Sequence, residues 1–415
     1  MLTSAARSVP RPLVLVVGAA VVLGVVATAW RDFVDLEVYR FGGAAILDGL
    51  PLYDVAEPDS GLLFTYPPFA ALLMTVLALP PEVLTVGLWT GVSVGALAVT
   101  LRVFAQELRV RATPGLIAVL TVGMLVLDPV RETLEFGQVN LVLMALVSYD
   151  VLANRGRSAG VLVGVAAGVK LTPLVFVVLL FAVGRRRDAA RALTAFLGTV
   201  LVGVLVVPRD SVAYWLHSVW DSERVGNLEF VRNQALSGTL TRVGHHEPST
   251  LLWFVVAAAA GVALLGLAVA WWRVGGRDVG LLLAAGAMLL CSPISWDHHF
   301  VWVAPLLLVL AVRGPVWAVA LVGVVGLVGA RVAVPHGSQR ELTWSWVDQL
   351  AGNGYCWLVL VLGTAAIQPL VAGRIRPLTS PSVSLPPEAE GAEYLRTTES
   401  PSSRNDRSWP PAMNG

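Results

Sequence analysis

Stretches of about 20 predominantly apolar residues, the length that crosses a bilayer's hydrocarbon core, recur along the whole chain with short polar breaks between them. Inside lipid every backbone N–H and C=O needs a partner within the protein, so only helices or closed barrels can cross. The runs are too long and too continuously apolar for barrel strands. An all-α polytopic membrane protein is the expected fold class. The charge content agrees: 14% of the 415 residues are charged, against roughly 25% in a soluble domain. Basic and acidic residues balance at 29 and 28, which leaves no one-sided positive field and excludes nucleic acid as a partner. Cys291 and Cys356 sit in or beside apolar runs, form neither a disulfide framework nor a thiolate metal spacing, and read as small buried hydrophobes.

Arginine sets the expected topology, because short basic loops stay in the cytoplasm. Arg7 and Arg11 precede the first run, Leu13 to Ala29, whose Ala27-Thr28-Ala29 end also resembles a signal-peptidase site. Uncleaved, this helix places the N-terminus inside. The breaks at Arg102 to Arg111, Arg155 and Arg157, Arg185 to Arg191, Arg273 and Arg277, Arg313, and Arg374 and Arg376 follow it to the cytoplasmic side. The remaining breaks are then external: Arg31 to Tyr66, Asp128 to Gln138, the surroundings of Lys170, Pro208 to Thr250, Ser292 to His299, and Pro335 to Gly354. Parity holds if Pro67 to Leu79, about 13 residues between two Pro-Pro pairs, is an interfacial or re-entrant helix too short to cross. About twelve spanning helices result, with external surface helices and both ends inside. Residues 1–373 form the membrane domain. From Pro377 the composition turns to Ser, Pro, Thr, Glu and Arg, so 374–415 is expected to be a disordered cytoplasmic tail. No matching pair of broken helices suggests an inverted-repeat transporter.

The unusual residues gather in the external breaks. Asp35 stands at the exit of the first run, before a short amphipathic segment from Val38 to Leu47. It can cap that segment, or act as a general base on a hydroxyl within hydrogen-bond reach. Lys170, the only lysine, interrupts an apolar stretch of about 26 residues and is followed by Thr172-Pro173, a helix start. A cation there either snorkels to the headgroups or faces a cavity or partner. Ser292-Pro293-Ile294-Ser295-Trp296-Asp297-His298-His299 offers groups for an anion, with Trp296 also suited to anchoring at the interface. Gln138 and Asn140 add polar groups on the same side, where structural hydrogen bonding would explain them equally well.

Asp35-Leu36-Glu37-Val38-Tyr39, the Gly-Leu-Pro-Leu-Tyr-Asp stretch ending at Asp54, Phe64-Thr65-Tyr66-Pro67-Pro68, Gly137-Gln138-Val139-Asn140, Gly168 to Pro173 and Ser292 to His299 occur in this order. Together they make the chain resemble glycosyltransferase family 87, over about residues 12 to 373. That family holds actinobacterial polyprenol-phosphate-mannose-dependent α-mannosyltransferases and a related arabinofuranosyltransferase, membrane enzymes of the GT-C fold. The resemblance implies transfer of a sugar from a polyprenyl-phosphate donor to a glycolipid or lipoglycan on the outer face of the cytoplasmic membrane. It marks Asp35 as the catalytic base. Tyr66, Gln138, Asn140, Lys170, Trp296, Asp297, His298 and His299 complete the expected site as substrate-binding residues.

A lipid-phosphate sugar leaves as a phosphate monoester, so the site needs a base for the acceptor hydroxyl and cations or donors for the phosphate. Asp35 fits the first role; Lys170 with His298 or His299 fits the second. The external loops lack an Asp-x-Asp pair, and no cofactor or metal is expected. Two other classes stand beside this one: a lipid-linked sugar flippase, and a non-catalytic envelope scaffold. The motifs leave mannose against arabinose, and the acceptor, open. The topology has its own test. Single cysteines placed beside Asp35 or between residues 220 and 246 should react with an impermeant label from outside, and a cysteine at 186 should not; external labelling at 186 overturns the assignment.

Overall fold

The structure is a computed structural model that describes residues 11–28, 31, 33–221, 224, 226–329 and 334–372. Arg7, Asp32, Arg374, Arg376 and the expected tail lie outside the described residues, which all fall in one unit. Among them the chain is helical, with only isolated bridges in place of strands.

Helix α1 (Arg11–Ala27) packs along α4 (Glu82–Glu107), where a side chain at Gly91 would collide with Val21. Small residues allow such close approach between lipid-embedded helices. Between them lie α2 (Val34–Asp48) and α3 (Pro68–Ala78), which pack on each other. The eleven residues of α3 agree with the expectation that this segment is short. Next come α5 (Pro114–Met124) and α6 (Asp128–Phe136), bent by 83° across their junction, then α7 (Asn140–Ser148) and a π-helical turn to Ala153. Helices α8 (Val161–Val169) and α9 (Leu174–Ala182) flank an extended Lys170 (φ −147°, ψ 130°), the break anticipated there. The long α10 (Arg186–Val206) leads into α11 (Pro208–Leu216). Beyond a loop follow α12 (Leu236–Gly244), α13 (Thr250–Arg273) and α14 (Arg277–Cys291), then a 3₁₀ turn over Asp297–Trp302. Last come α15 (Val303–Arg313), α16 (Val316–Val328), α17 (Trp346–Gly352), α18 (Gly354–Ala365) and α19 (Ile367–Val371).

Among the described residues four spans qualify by length and composition: α4, α10, α13 and Gly354–Val371; a fifth follows if the bent α5–α6 pair counts as one. Their outer faces are apolar, with Leu251, Leu252, Phe254, Val255 and Val262 of α13 all exposed, as a lipid-facing helix requires. The protein is an all-helical membrane protein.

Contacts among the described residues link breaks within each of the two expected sets. Arg277 pairs with Glu107, and Arg313 with Asp278 at 3.1 Å. Arg185 and Arg191 donate to the carbonyls of Val151 and Ala159. These groups come from breaks assigned to one side on their arginines. In the other set, the breaks at 137–139 and at Lys170, the start of α2, the stretch before α12 and the 3₁₀ turn converge.

Gly137 closes α6 in the left-handed region (φ 69°), where a Cβ would lie 2.6 Å from that of Leu36. Only glycine combines that dihedral with that contact. Gly137→Ala should therefore cost about 1–3 kcal/mol and lower the thermal midpoint of the detergent-solubilised protein. Gly115→Ala, with open space around its Cβ, should leave the midpoint unchanged; equal effects of the two would remove the strain at Gly137.

Candidate active site

The converging breaks enclose a cavity of about 490 Å³. Asp35 enters it from the first turn of α2. Its helix is capped at Phe33 without a side-chain hydrogen bond, so Asp35 is not the N-cap and its carboxyl group is available to the cavity. Gln138, released by the left-handed Gly137, lines the cavity with it and favours the ionised form of its carboxyl. The amide oxygen of Gln138 is occupied: the hydroxyls of Tyr39 and Tyr66 lie 2.7 and 3.1 Å from it and 2.8 Å from each other. Its NH₂ group makes none of these bonds. Tyr53 pins the strand of chain carrying Tyr66 by donating to its carbonyl at 2.7 Å. Burial raises the Asp35 carboxyl above its ordinary range, against the opposing pull of His298, Gln138, Lys170 and Arg232.

Lys170 lies across the cavity, in the break outside every helix long enough to span. Its Nζ donates to His299 Nε2 at 2.9 Å and to Asn140 Oδ1 at 3.3 Å, and stands 5.6 Å from the Tyr66 ring. It points into the site rather than snorkelling to the headgroups. Burial and the adjacent Lys170 charge keep His299 neutral, as an acceptor from an ammonium must be. Both partners of Lys170 are uncharged, so its charge is available to a ligand. Burial draws its pKa down to about 8. Thr133 and Asn140 donate to the His298 carbonyl at 2.9 and 3.1 Å and fix the turn. The His298 ring is buried with neither nitrogen hydrogen-bonded, although it lines the cavity.

Arg232 completes the wall, and the sequence reading did not name it. Backbone pairing brings residues 232–234 against 295–297: Asp297 N donates to Arg232 O at 2.8 Å and Gln234 N to Ser295 O at 2.7 Å. The guanidinium thereby meets Asp297, with Nε 3.0 Å from both carboxylate oxygens and Nη2 2.9 Å from Oδ1; it also pairs with Glu132 and covers the Phe136 ring. Burial works against the Asp297 charge, but His298 and Arg232 together hold its carboxyl below the usual range. The sequence carried little signal for it, because Arg232 is one of several arginines in the breaks expected to be external.

Seven of the nine expected residues line the cavity: Asp35, Tyr66, Gln138, Lys170, Trp296, His298 and His299. Asn140 and Asp297 do not. They stand behind it, holding Lys170 with the His298 carbonyl, and Arg232, respectively. The physical reason is that a buried carboxylate takes the nearest cation, which a linear sequence does not reveal. Among the described residues no three His, Cys, Asp or Glu side chains converge as a metal would need.

The sequence profile of glycosyltransferase family 87 matches residues 64–293. The chain belongs to glycosyltransferase family 87. It is 37% identical over 311 residues to a polyprenol-phosphate-mannose-dependent alpha-(1-2)-phosphatidylinositol pentamannoside mannosyltransferase of Mycobacterium tuberculosis (strain CDC 1551 / Oshkosh), covering 73% of this chain and 72% of that one. To a polyprenol-phosphate-mannose-dependent alpha-(1-2)-phosphatidylinositol mannoside mannosyltransferase of Mycolicibacterium smegmatis it is 32% identical over 411 residues, covering 87% and 92%. No solved structure matches it significantly. The family 87 chain is thus a membrane glycosyltransferase.

If Asp35 works ionised and Lys170 works protonated, the pH profile of kcat/KM follows. The rate should rise through the raised pKa of Asp35, above the ordinary carboxylate range, and fall as Lys170 loses its proton near pH about 8. Lys170→Arg should move the alkaline limb upward, since guanidinium does not titrate there. An alkaline limb that stays in place in Lys170→Arg belongs to another group.

Proposed function

We propose that this enzyme transfers mannose from a polyprenyl-phosphate donor to a hydroxyl of a phosphatidylinositol mannoside-type glycolipid, on the outer face of the cytoplasmic membrane, with Asp35 as base. The relatives' names support the donor and the class of acceptor. The observation that carries the mechanism is the Asp35 setting. Of the carboxylates lining the cavity, Asp221 is exposed, whereas Asp35 is half-buried and faces cationic groups without a salt bridge. Glu132, Asp297 and Asp128 are all engaged by arginine.

The acceptor oxygen attacks the anomeric carbon while its proton passes to Asp35, and the C1–O bond breaks with its electrons leaving on the phosphate. One base and one displacement invert the centre, so a β-linked donor yields an α-linked product. Lys170, backed by His299, meets the phosphate as it gains charge.

The architecture we infer is of the GT-C type, with twelve crossings formed by α1, α4, α5, α7, α8, α9, α10, α13, α14, α15, α16 and α18. The nine-residue helices α8 and α9 each rise only about 13 Å. The break at Lys170 would then face a cavity open to external water, which is where broken helices are tolerated.

Asp35→Asn preserves shape and should lower transfer by at least about a hundredfold, while Asp32→Asn should not. Retained activity in a well-folded Asp35→Asn protein removes Asp35 as the base. Lys170→Ala should raise KM for the lipid donor and also lower kcat, because the phosphate is present in the ground state and gains charge at the transition state. An unchanged donor dependence would sever Lys170 from the phosphate.

A further inference from the structure

The two cationic groups of the cavity wall are held in chemically opposite ways. Lys170 has neutral partners, whereas the Arg232 charge is already matched by the carboxylates of Glu132 and Asp297. A guanidinium in that state adds little attraction for an anion, and its anchoring acids repel a phosphate. What it retains is geometry. Nε and Nη2 are consumed by the two acids, and Nη1, with two N–H groups, makes no hydrogen bond and is not sealed from the cavity. The same holds for the indole N–H of half-buried Trp296, which lines the cavity beside Phe230 at a ring separation of 6.2 Å.

We propose that Arg232 Nη1 and Trp296 form a sugar subsite, in which Nη1 and the indole N–H donate to neutral hydroxyl oxygens of a pyranose while the Trp296 and Phe230 rings cover its apolar face. Glu132 and Asp297 are positioning residues: they fix the plane of the guanidinium and suppress its pull on anions. The cavity is thus divided, with phosphate at Lys170 and His299 and sugar hydroxyls at Arg232 and Trp296. This inference rests on the mannosyl-transfer reading of the site. The hydroxyls can belong to the donor mannose or to the terminal mannose of the acceptor, two sources with one chemistry.

The test uses the full-length enzyme in membranes, with polyprenyl-phosphate mannose, a synthetic mannoside acceptor, and monodeoxy versions of each sugar. Mannose transfer by the wild type is the control; its absence defeats the mannosyl-transfer reading and leaves the subsite without its premise, whereas the outcomes below bear on the subsite alone. Arg232→Lys keeps the charge and removes the fork, and should lower kcat/KM about ten- to hundredfold. The deoxy sugar lacking the contacted hydroxyl should be correspondingly poor for the wild type and lose nothing further in Arg232→Lys. Coupling to a deoxy acceptor places the acceptor sugar at Arg232; coupling to a deoxy donor places the donor sugar there. If Arg232→Lys does not fold, Trp296→Phe, which keeps the ring and removes the N–H, carries the same cycle. The proposal is overturned if no deoxy sugar couples to either variant. It is equally overturned if Arg232→Lys weakens inhibition by polyprenyl phosphate, which bears no sugar, as much as it weakens turnover.

Discussion

Lipid offers no hydrogen bonds to a peptide backbone, and this constraint organises the protein around its cavity. A helix in hydrocarbon can be interrupted only where protein or cavity water takes up the freed N–H and C=O groups. The chain interrupts its helices at Gly137–Val139, at Lys170 and between α14 and α15, and these breaks meet. Their loose groups are satisfied locally: the His298 carbonyl by Thr133 and Asn140, the Gly137 carbonyl by Trp89 at 2.7 Å. The polar site is the set of places where helices stop.

Electrostatics within that set is graded. Asp35 lies in a partly desolvated space with no paired cation, and burial raises its carboxyl above the ordinary range. Lys170 stands opposite on uncharged supports. Arg232 is locked between acids on a third side. The proposed roles of base, phosphate-facing cation and directional donor would each call for a different environment.

Several residues stood out in the sequence before their places were known. The Asp-x-x-Val-Tyr spacing pointed to Asp35, yet its alternative as a cap yielded only when the helix was found to begin at Val34, with Phe33 at the cap. The break at Lys170 could be read from a lone lysine before Thr-Pro; its bond to His299, 129 residues away, could not. Asp297 and Asn140 belong to the same motifs as His298 and Gln138 but face away from the cavity, because 3₁₀ and α geometry send neighbouring side chains in different directions. Arg232 escaped notice because nothing near it in the chain declares a partner: Glu132 lies 100 residues before it and Asp297 65 after.

The sequence by itself determined that the chain is helical and lies in a membrane, and that its unusual polar residues gather at breaks between the apolar runs. Hydropathy and arginine bias act on each segment independently of its neighbours, so a linear text carries them whole. Only the tertiary structure decided which of those polar groups face a common space and which are spent on each other. That outcome depends on directions and separations of a few ångströms between residues far apart in the chain, and a buried charge settles on whichever partner the packing brings nearest.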